Sequence, residues 1–206
     1  MDQSTRLFLL RHGEIEDRYR YVFGGRIDMD LSPRGREQVK RLAEHLCQTK
    51  LDAIYVSPLK RARQTSSALL QHDGRTETVH RDLREVDFGQ WTGLTWAEVA
   101  ERFGVHAFDW LRALRHDRIP GAEPFSEFRG RVSICLNEIL GRHSGQSVAV
   151  VCHGGVIRML LALLLDLPLE KTGGFEVDYA SLTVVGWERP GPAIRLLNFT
   201  PWRPLP

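Results

Sequence analysis

The chain alternates between short apolar runs and longer stretches in which apolar residues recur at helical spacing. Short apolar runs that end at turn residues predict buried strands. The predicted strands are, in chain order, residues 6–10, 53–56, 76–80, 147–152, 175–177, 182–187 and 194–198. The run at 147–152 is flanked by polar and glycine residues on both sides, which is typical of a central strand.

Helices are predicted between these strands. Val39, Leu42 and Leu46 recur every three or four residues, so they mark one face of a helix that begins after Ser32–Pro33. Serine is a common N-cap and proline a common first helical residue. Two further helices are predicted to begin at Ser57–Pro58 and at a Thr95–Glu98 capping box. Three more are predicted at about 106–116, 125–139 and 156–165. Strands that alternate with helices indicate an α/β sandwich with a largely parallel sheet.

Composition narrows the class of protein. The net charge of +2 over 206 residues does not favour nucleic acid or an anionic membrane as a partner. Three scattered cysteines form no disulfide framework, the N-terminus has no signal-peptide pattern, and the longest apolar run, 159–165, is too short to span a bilayer. We therefore expect a soluble cytoplasmic protein with a single domain over 1–206, in which the proline-rich 201–206 forms a flexible tail.

Two histidine motifs stand where predicted strands end. Arg11-His12-Gly13-Glu14 follows the first strand, and His153-Gly154-Gly155 follows the strand at 147–152. Ligands of open α/β sheets bind at the carboxyl edge of the strands, so both histidines are expected at one site. Two histidines beside an arginine favour a phosphate site with a covalent histidine step.

Phosphoryl transfer needs an in-line nucleophile and cations around the phosphate. His12 is the candidate nucleophile, and a carbonyl or carboxylate partner would fix its tautomer so that the other ring nitrogen faces the substrate. Arg11 would hold the non-bridging oxygens. Arg61 lies in the first turn of the helix after the second strand, so it could supply a second guanidinium.

The second histidine motif and a carboxylate complete the expected site. His153, with the free N–H groups of Gly154 and Gly155 at a helix N-terminus, would hold the same phosphate. An alkoxide leaving group needs a proton, and an anionic phosphate favours the protonated form of a nearby carboxylic acid. Glu85 is the candidate acid, and Asp87 is the alternative. The histidines lack the paired spacing of a zinc site, so no metal is expected.

The segment from Cys152 to Arg158 supports a different interpretation. Its cysteine, glycine and arginine have the spacing of a cysteine-phosphatase loop, in which a thiolate attacks phosphorus. That interpretation leaves Arg11, His12 and Arg61 without a role. Our hypothesis is that Cys152 is a buried strand end and that Arg158 lies on a helix face.

Four motifs in order resemble the histidine phosphatase superfamily, the phosphoglycerate-mutase-like group. They are Arg11-His12-Gly13-Glu14, Ser57…Arg61-Ala62…Gln64-Thr65, Leu83…Glu85…Phe88-Gly89…Trp91…Gly93 and His153-Gly154-Gly155. The resemblance implies a three-layer α/β/α sandwich, a phosphohistidine on His12, and a phosphate pocket of Arg11, Arg61 and His153. It also implies Glu85 as proton donor, no metal or other cofactor, and a small phosphate ester as substrate.

The resemblance extends to α-ribazole 5′-phosphate phosphatases of cobalamin biosynthesis, on the length of the chain and the Arg18-Tyr19-Arg20 stretch. Arg18 stands where the family often has a phosphate-contacting asparagine, and we expect Arg18 and Gly25 to bind substrate. The alternatives are a 2,3-bisphosphoglycerate-dependent phosphoglycerate mutase and a regulatory protein that binds phosphate without turnover. The short segment from Gly93 to Ser147 favours hydrolysis. We expect a monomer or homodimer that binds neither nucleic acid nor membrane.

Overall fold

The computed structural model describes residues 4–70, 76–106, 109–188 and 191–204. The strands in these residues are β1 (Thr5–Arg11), β2 (Ala53–Val56), β3 (Thr78–Val79), β4 (Ser147–Cys152), β5 (Leu182–Glu188) and β6 (Gly191–Phe199). They form one sheet in the order β3-β2-β4-β1-β5-β6. β1 to β4 run parallel to one another, whereas β5 and β6 add an antiparallel edge beside β1.

Helices follow or precede each parallel strand. They are α1 (Pro33–Leu46), α2 (Lys60–Leu69), α3 (Trp96–Phe103), α4 (Trp110–Arg115), α5 (Phe125–Arg142) and α6 (Gly154–Leu164). Two of the predicted caps are present: Ser32 Oγ accepts the Gly35 N–H at 2.9 Å, and Thr95 forms a capping box with Glu98. The helix start predicted at Ser57–Pro58 is wrong, because α2 begins at Lys60 with Leu59 as its N-cap and without a side-chain cap. Short 3-10 helices occur at Asp17–Tyr19, Arg81–Leu83, Gly89–Trp91 and Leu169–Gly174.

The sheet lies between two layers of helices. Along β4, Val148, Val150 and Cys152 face a core shared with α3 to α6, whereas Ala149 and Val151 face a core shared with α1 and α2. Successive residues of a strand point to opposite faces, so a strand that is apolar throughout must be covered on both sides. The predicted three-layer α/β/α sandwich with a mostly parallel sheet is confirmed.

One predicted strand is wrong. Residues 175–177 have no sheet partner and follow the 3-10 helix at Leu169–Gly174. Their carbonyl oxygens accept arginine side chains instead, Phe175 O from Arg158 at 2.7 Å and Val177 O from Arg11 at 2.6 Å. Backbone groups satisfied by side chains do not need a neighbouring strand. The other predicted strands are present, although β3 has only two residues.

Helix boundaries also differ from the expected ones. The helix predicted at about 106–116 is α4, Trp110–Arg115, and residues 107–108 lie outside the described part of the chain. α6 begins at Gly154, two residues before the predicted start, because His153 already serves as its N-cap. This earlier start places the backbone of Gly154 and Gly155 in the first helical turn.

The C-terminal segment packs beside the carboxyl edge of the sheet. Trp202 Nε1 donates to Tyr179 O at 3.0 Å, and Arg203 pairs with Asp178 at 2.6 Å. Trp202 and Arg203 of the expected flexible tail are thus held by specific contacts, and residues 205–206 lie outside the described part. Among the described helices, none combines the length and the apolar character needed to cross a membrane.

Candidate active site

Strand register brings the two histidines together. Arg11 pairs with Cys152 in the parallel β1–β4 ladder, so the next residues, His12 and His153, leave the sheet side by side at its carboxyl edge. The His12 N–H donates to Cys152 O at 3.1 Å, and the two imidazole centroids are 5.2 Å apart. The structure therefore brings the two predicted motifs to one place.

His12 presents one ring nitrogen as an acceptor. Its Nδ1 lies 2.8 Å from Gly13 O, so Nδ1 carries the proton of the neutral ring and Nε2 accepts from Arg61 Nε at 3.2 Å. Burial, together with the charges of Arg61 and Arg11, lowers the pKa of His12 well below 6.5. His12 is therefore a neutral imidazole at neutral pH, with its lone pair on Nε2.

Arg61 is fixed by backbone carbonyls in the loop after β1. It is only 3% exposed, and its Nη1 and Nη2 donate to Ile27 O at 2.7 Å and Gly25 O at 2.8 Å. Gly25 has a φ of +48°, a conformation that glycine adopts without steric cost. Burial lowers the pKa of Arg61 to about 10, so it stays charged at neutral pH. Two of its five N–H donors have no acceptor among the described residues and can bind an anion.

His153 is held by Ser57. Its Nε2 lies 2.7 Å from Ser57 Oγ, which also accepts the Leu59 N–H at 3.3 Å, so the serine hydrogen can point to Nε2. The neutral ring then carries its proton on Nδ1, which is buried and has no partner among the described residues. Burial, followed by the charge of Arg61, lowers the pKa of His153 well below 6.5. His153 therefore offers one N–H from a neutral ring.

Arg11 lies against the ring of Tyr179. Its Cζ is 4.0 Å from the ring centroid, a cation–π distance, and the same ring lies 5.5 Å from the His12 ring. Arg11 Nη1 is anchored on Val177 O, but its buried Nε has no partner among the described residues. Two buried donors, Arg11 Nε and His153 Nδ1, thus lack acceptors that an anion would supply.

Glu85 closes the N-terminus of α6. Its Oε2 accepts the Gly155 N–H at 3.1 Å, and its Oε1 accepts the Val86 N–H at 3.0 Å. A Cβ at Gly155 would lie 2.5 Å from Oε1, so this approach requires glycine. The Gly155 N–H that we expected on the phosphate therefore binds Glu85 instead. The N–H of Gly154, the first residue of α6, has no intrahelical acceptor and stays suited to an anion.

A cavity of about 340 Å³ is lined by Arg11, His12, Arg61, Glu85, Gly25 and Gly154, whereas His153 is fully buried beside His12 and does not line it. Part of its lining is aromatic, formed by Phe23, Phe88, Trp96 and Trp110. The Phe23 and Phe88 centroids are 5.0 Å apart, and those of Phe88 and Trp110 are 5.5 Å apart. The volume suits a small metabolite. Within residues 4–70, 76–106, 109–188 and 191–204, no three His, Cys, Asp or Glu side chains are grouped as metal ligands.

Arg158 is a third arginine in the cavity lining. It lies on the first turns of α6, and its Nη1 donates to Thr172 O and Phe175 O. The helix face expected for Arg158 is therefore the face toward the cavity rather than toward solvent. Glu176 and Asp178 line the same cavity, so charges of both signs border it.

Besides the buried His153, two sequence candidates lie outside the cavity lining. Arg18, expected to bind substrate, has a side chain 68% exposed and pairs with Glu16 at 3.0 Å. Asp87, the alternative acid, accepts the Gly89 N–H at 2.9 Å and pairs with Arg26 at 3.3 Å. The structure brings together His12, Arg11, Arg61, His153, Glu85, Gly25 and Gly154, but not Arg18.

Cys152 does not fit the cysteine-phosphatase interpretation. Its side chain is fully buried in the core on the α5–α6 side of the sheet and does not line the cavity. Burial raises the pKa of the Cys152 thiol well above 9.0, so the thiolate needed for attack is not formed at neutral pH. The buried strand end expected for Cys152 agrees with this geometry.

Sequence reasoning missed several residues around the site. Tyr179 belongs to none of the motifs, and the sequence predicts Ser57 as a helix start and a motif residue but not as the partner of His153. Arg131 stands between the apolar positions Phe128 and Val132 of α5 and is 8% exposed. An arginine within the buried face of an amphipathic helix was a usable signal, because a buried charge needs partners.

Comparison with known proteins decides the family. Residues 7–200 match the sequence profile of the histidine phosphatase superfamily (branch 1). The chain belongs to the histidine phosphatase superfamily. The family predicted from the four motifs is confirmed, and the protein is a phosphoric monoester hydrolase.

Relatives of this histidine phosphatase have several substrates. It is 34% identical over 197 residues to phosphoserine phosphatase 1 of Hydrogenobacter thermophilus, covering 95% of this chain and 93% of that protein. It is 28% identical over 205 residues to an adenosylcobalamin/alpha-ribazole phosphatase of Salmonella typhimurium, covering 97% and 99%. The alpha-ribazole phosphatase structure from Shigella flexneri superposes with a TM-score of 0.82 at 26% identity, covering 95% and 96%.

Proposed function

We propose that this histidine phosphatase hydrolyses a small phosphate monoester through a phosphohistidine on His12, without a metal ion. The observation that carries the proposal is the neutral, buried His12, whose Nε2 lone pair faces the Arg61 guanidinium. The unpartnered donors of Arg11 and His153 support an anion beside that lone pair. A nucleophile with an available lone pair and fixed cations around the phosphate are the two things that phosphoryl transfer needs.

In the first half-reaction, the bound phosphate takes the Arg61 Nε–H donor from His12, the freed Nε2 lone pair attacks phosphorus, and the ester P–O bond breaks. Arg11, Arg61 and the His153 N–H hold the three non-bridging oxygens and stabilise their charge. Glu85 acts as the general acid and gives a proton to the leaving alkoxide, so the alcohol departs neutral and a carboxylate remains. The arginines act mainly on the transferred group, which carries most of the charge in the transition state.

In the second half-reaction, water attacks the phosphorus of the phosphohistidine. The Glu85 carboxylate takes a proton from that water, the P–N bond breaks, and inorganic phosphate forms while His12 returns to its neutral state. The acid of the first step is thereby reprotonated. General acid–base help of this type contributes about 10²- to 10⁴-fold to such reactions.

We propose α-ribazole 5′-phosphate, an ester in cobalamin biosynthesis, as the substrate. Its alcohol is a nucleoside with a flat benzimidazole base, and the aromatic lining of Phe23, Phe88, Trp96 and Trp110 supports binding of a flat aromatic group. The alpha-ribazole phosphatases among its relatives support the same choice. The geometry leaves no contact between Arg18 and this cavity, so we assign that residue no role in binding.

Phosphoserine is a second candidate because of Arg158. A carboxylate beside the phosphate needs a cation, and the Arg158 guanidinium lines the cavity next to Glu176 and Asp178, which could receive an ammonium group. The similarity to phosphoserine phosphatase 1 of Hydrogenobacter thermophilus supports this candidate. The two substrates use different parts of one cavity and can be separated by mutation.

The first experiment measures phosphate release in excess EDTA. The esters are α-ribazole 5′-phosphate, phosphoserine, 3-phosphoglycerate and p-nitrophenyl phosphate, and the enzymes are wild type and His12→Ala. We expect release by wild type alone, with an acid-labile phosphoenzyme trapped by rapid quenching. A metal requirement, or full activity of His12→Ala, would refute the mechanism. Turnover of 3-phosphoglycerate only with added 2,3-bisphosphoglycerate would favour a mutase.

The second experiment separates the substrates. Arg158→Met removes the cation and keeps most of the side-chain volume, whereas Trp110→Leu removes part of the aromatic lining. We expect Trp110→Leu to raise KM for α-ribazole 5′-phosphate about tenfold, and Arg158→Met to leave it nearly unchanged. The opposite pattern, with phosphoserine as the better ester, would replace α-ribazole 5′-phosphate by phosphoserine.

A further inference from the structure

Arg131 is a buried guanidinium in which every N–H donor has an acceptor. Nε and Nη2 form a fork with the two carboxylate oxygens of Glu123, at 2.7 and 2.9 Å. Nη1 donates to Asp82 O at 2.5 Å and Arg84 O at 2.8 Å, and Nη2 also reaches Glu85 O at 3.3 Å. Arginine has five such donors, and only its planar fork can serve this set at once.

The carbonyl acceptors of Arg131 belong to one short segment, Asp82 to Glu85. This segment has no strand or α-helix of its own beyond the 3-10 turn at Arg81–Leu83. The guanidinium therefore replaces the backbone ladder that a regular element would have provided. One acceptor is the carbonyl of Glu85 itself, so the Arg131 contact lies next to the carbon that carries the Glu85 side chain.

Glu123 connects this segment to the loop that fixes Arg61. Besides Arg131, its carboxylate lies 3.2 Å from Arg26 Nη2, and Arg26 stands between the two residues whose carbonyls accept from Arg61. Burial alone would raise the pKa of Glu123, but hydrogen bonds and charge from Arg131, with Arg26, bring it below its usual value. Glu123 is thus an anion that contacts both Arg131, which binds the Glu85 segment, and Arg26, which lies in the loop that binds Arg61.

We infer that Arg131 is a positioning residue that, anchored by Glu123, holds Glu85 where its carboxyl group meets the ester oxygen. The inference rests on the proposed role of Glu85 as general acid. Proton transfer demands hydrogen-bond distance, and a shift of about 1 Å in a reacting group can cost about 10²-fold in rate. Arg131 does not line the cavity, so the effect that we assign to it acts through Glu85.

Two esters of similar size distinguish positioning of the acid from general support of the fold. Benzyl phosphate releases a strongly basic alkoxide that needs a proton, whereas p-nitrophenyl phosphate releases a stabilised phenolate that does not. We compare kcat and KM for both esters in wild type, Glu85→Gln, Arg131→Lys and Glu123→Gln. Lysine keeps the charge of Arg131 but cannot donate to the three carbonyls and the carboxylate together.

We expect Glu85→Gln to lower kcat for benzyl phosphate about 10²-fold or more, and kcat for p-nitrophenyl phosphate less than about tenfold. Arg131→Lys should show the same selectivity, with kcat for benzyl phosphate lowered at least about tenfold more than for p-nitrophenyl phosphate and KM nearly unchanged. Adding Arg131→Lys to Glu85→Gln should produce no further selective loss, because the two residues act through one proton transfer.

The control is Ile139→Ala, a buried α5 residue outside this network. It should lower thermal stability and leave the ratio of the two rates as in wild type. If Arg131→Lys and Glu123→Gln match Ile139→Ala, Arg131 is merely structural and the inference is wrong while Glu85 keeps its role. If Glu85→Gln itself shows no selectivity, the proposed acid is wrong and the inference fails with it. If Arg131→Lys does not fold, Glu123→Gln tests the same inference, because it weakens the anchor of Arg131.

Discussion

Acid should destabilise this phosphatase through its two active-site histidines. His12 and His153 are both buried and neutral, and burial is the largest cause that lowers their pKa values below 6.5. In the unfolded chain each would bind a proton near pH 6.5. The perturbation consists of the substitutions His12→Gln and His153→Gln, made singly and in combination. Glutamine is chosen because its side chain does not titrate.

The sign and size follow from proton linkage. Below pH 6.5 both histidines bind a proton in the unfolded chain but stay neutral in the native protein. Their contribution to the free energy of unfolding is therefore fully present above pH 6.5 and is lost as the pH drops toward the lowered pKa values. Each histidine contributes about 1 kcal/mol per pH unit in that window. The pair therefore costs about 2 kcal/mol between pH 6 and 5, a measurable part of a total of about 5–15 kcal/mol.

The assay is urea unfolding at several pH values from about 8 to 5, in buffers without phosphate. Phosphate must be absent because an anion that binds the native site adds stability of its own. The free energy of unfolding is obtained by linear extrapolation for each variant. For each pH unit below 6, the free energy of unfolding should fall by about 1 kcal/mol less in each single variant than in wild type. In the double variant it should fall by about 2 kcal/mol less.

The comparison of slopes isolates the two histidines. Every other titrating group is the same in all variants, so its contribution cancels in the difference. A uniform offset between variants would reflect lost packing and would not bear on the prediction. Parallel curves for wild type and the double variant from pH 7 to 5 would show that neither imidazole is held neutral by burial, and the basis for His12 as a neutral nucleophile would fall.

Three further variants test the geometry of the site. Arg61→Lys should lower kcat/KM for p-nitrophenyl phosphate about 10²- to 10³-fold, because the donors of an ammonium group lie on one nitrogen and cannot replace the separate guanidinium nitrogens that reach two carbonyls and an oxyanion. Gly155→Ala should lower kcat for benzyl phosphate about 10²-fold, since its Cβ would lie 2.5 Å from Glu85 Oε1 and displace the acid. Tyr179→Leu should raise the inhibition constant of inorganic phosphate about fivefold, through loss of the cation–π contact with Arg11.

Each of these variants has a control in the same chain. Arg63→Lys changes an exposed arginine of α2 and should leave kcat/KM unaffected. Gly141→Ala adds a methyl group to α5 in open space and should leave activity unchanged. Tyr179→Phe keeps the aromatic ring, so phosphate should inhibit it as it inhibits wild type. Equal losses in a variant and its control would contradict the corresponding contact.

Much of the site could be predicted because its residues stand in local patterns. The turns after β1 and β4 carry His12 and His153, and the parallel arrangement of buried strands requires that they share one edge of the sheet. Arg61 follows from its place in the first turn after β2. These positions depend on chain direction and strand burial, which hydrophobic periodicity reveals.

The predictions that failed depend on contacts between distant segments. Residues 175–177 have the local pattern of a strand, yet their carbonyls bind the side chains of Arg11 and Arg158. Arg18 is adjacent to the first motif in sequence, but the 3-10 turn that carries it points it to solvent. No local pattern states which partner will satisfy a carbonyl or where a loop turns.

Hydrophobic periodicity and short motifs were sufficient to predict the family, the alternation of strands and helices, and the chemical types gathered at the sheet edge. Only the folded chain shows that the Gly155 N–H binds Glu85, that the Tyr179 ring covers Arg11, and that Arg131 binds the Glu85 carbonyl. Such contacts join segments far apart in the chain, and the geometry that selects among many possible partners exists only after the core has packed.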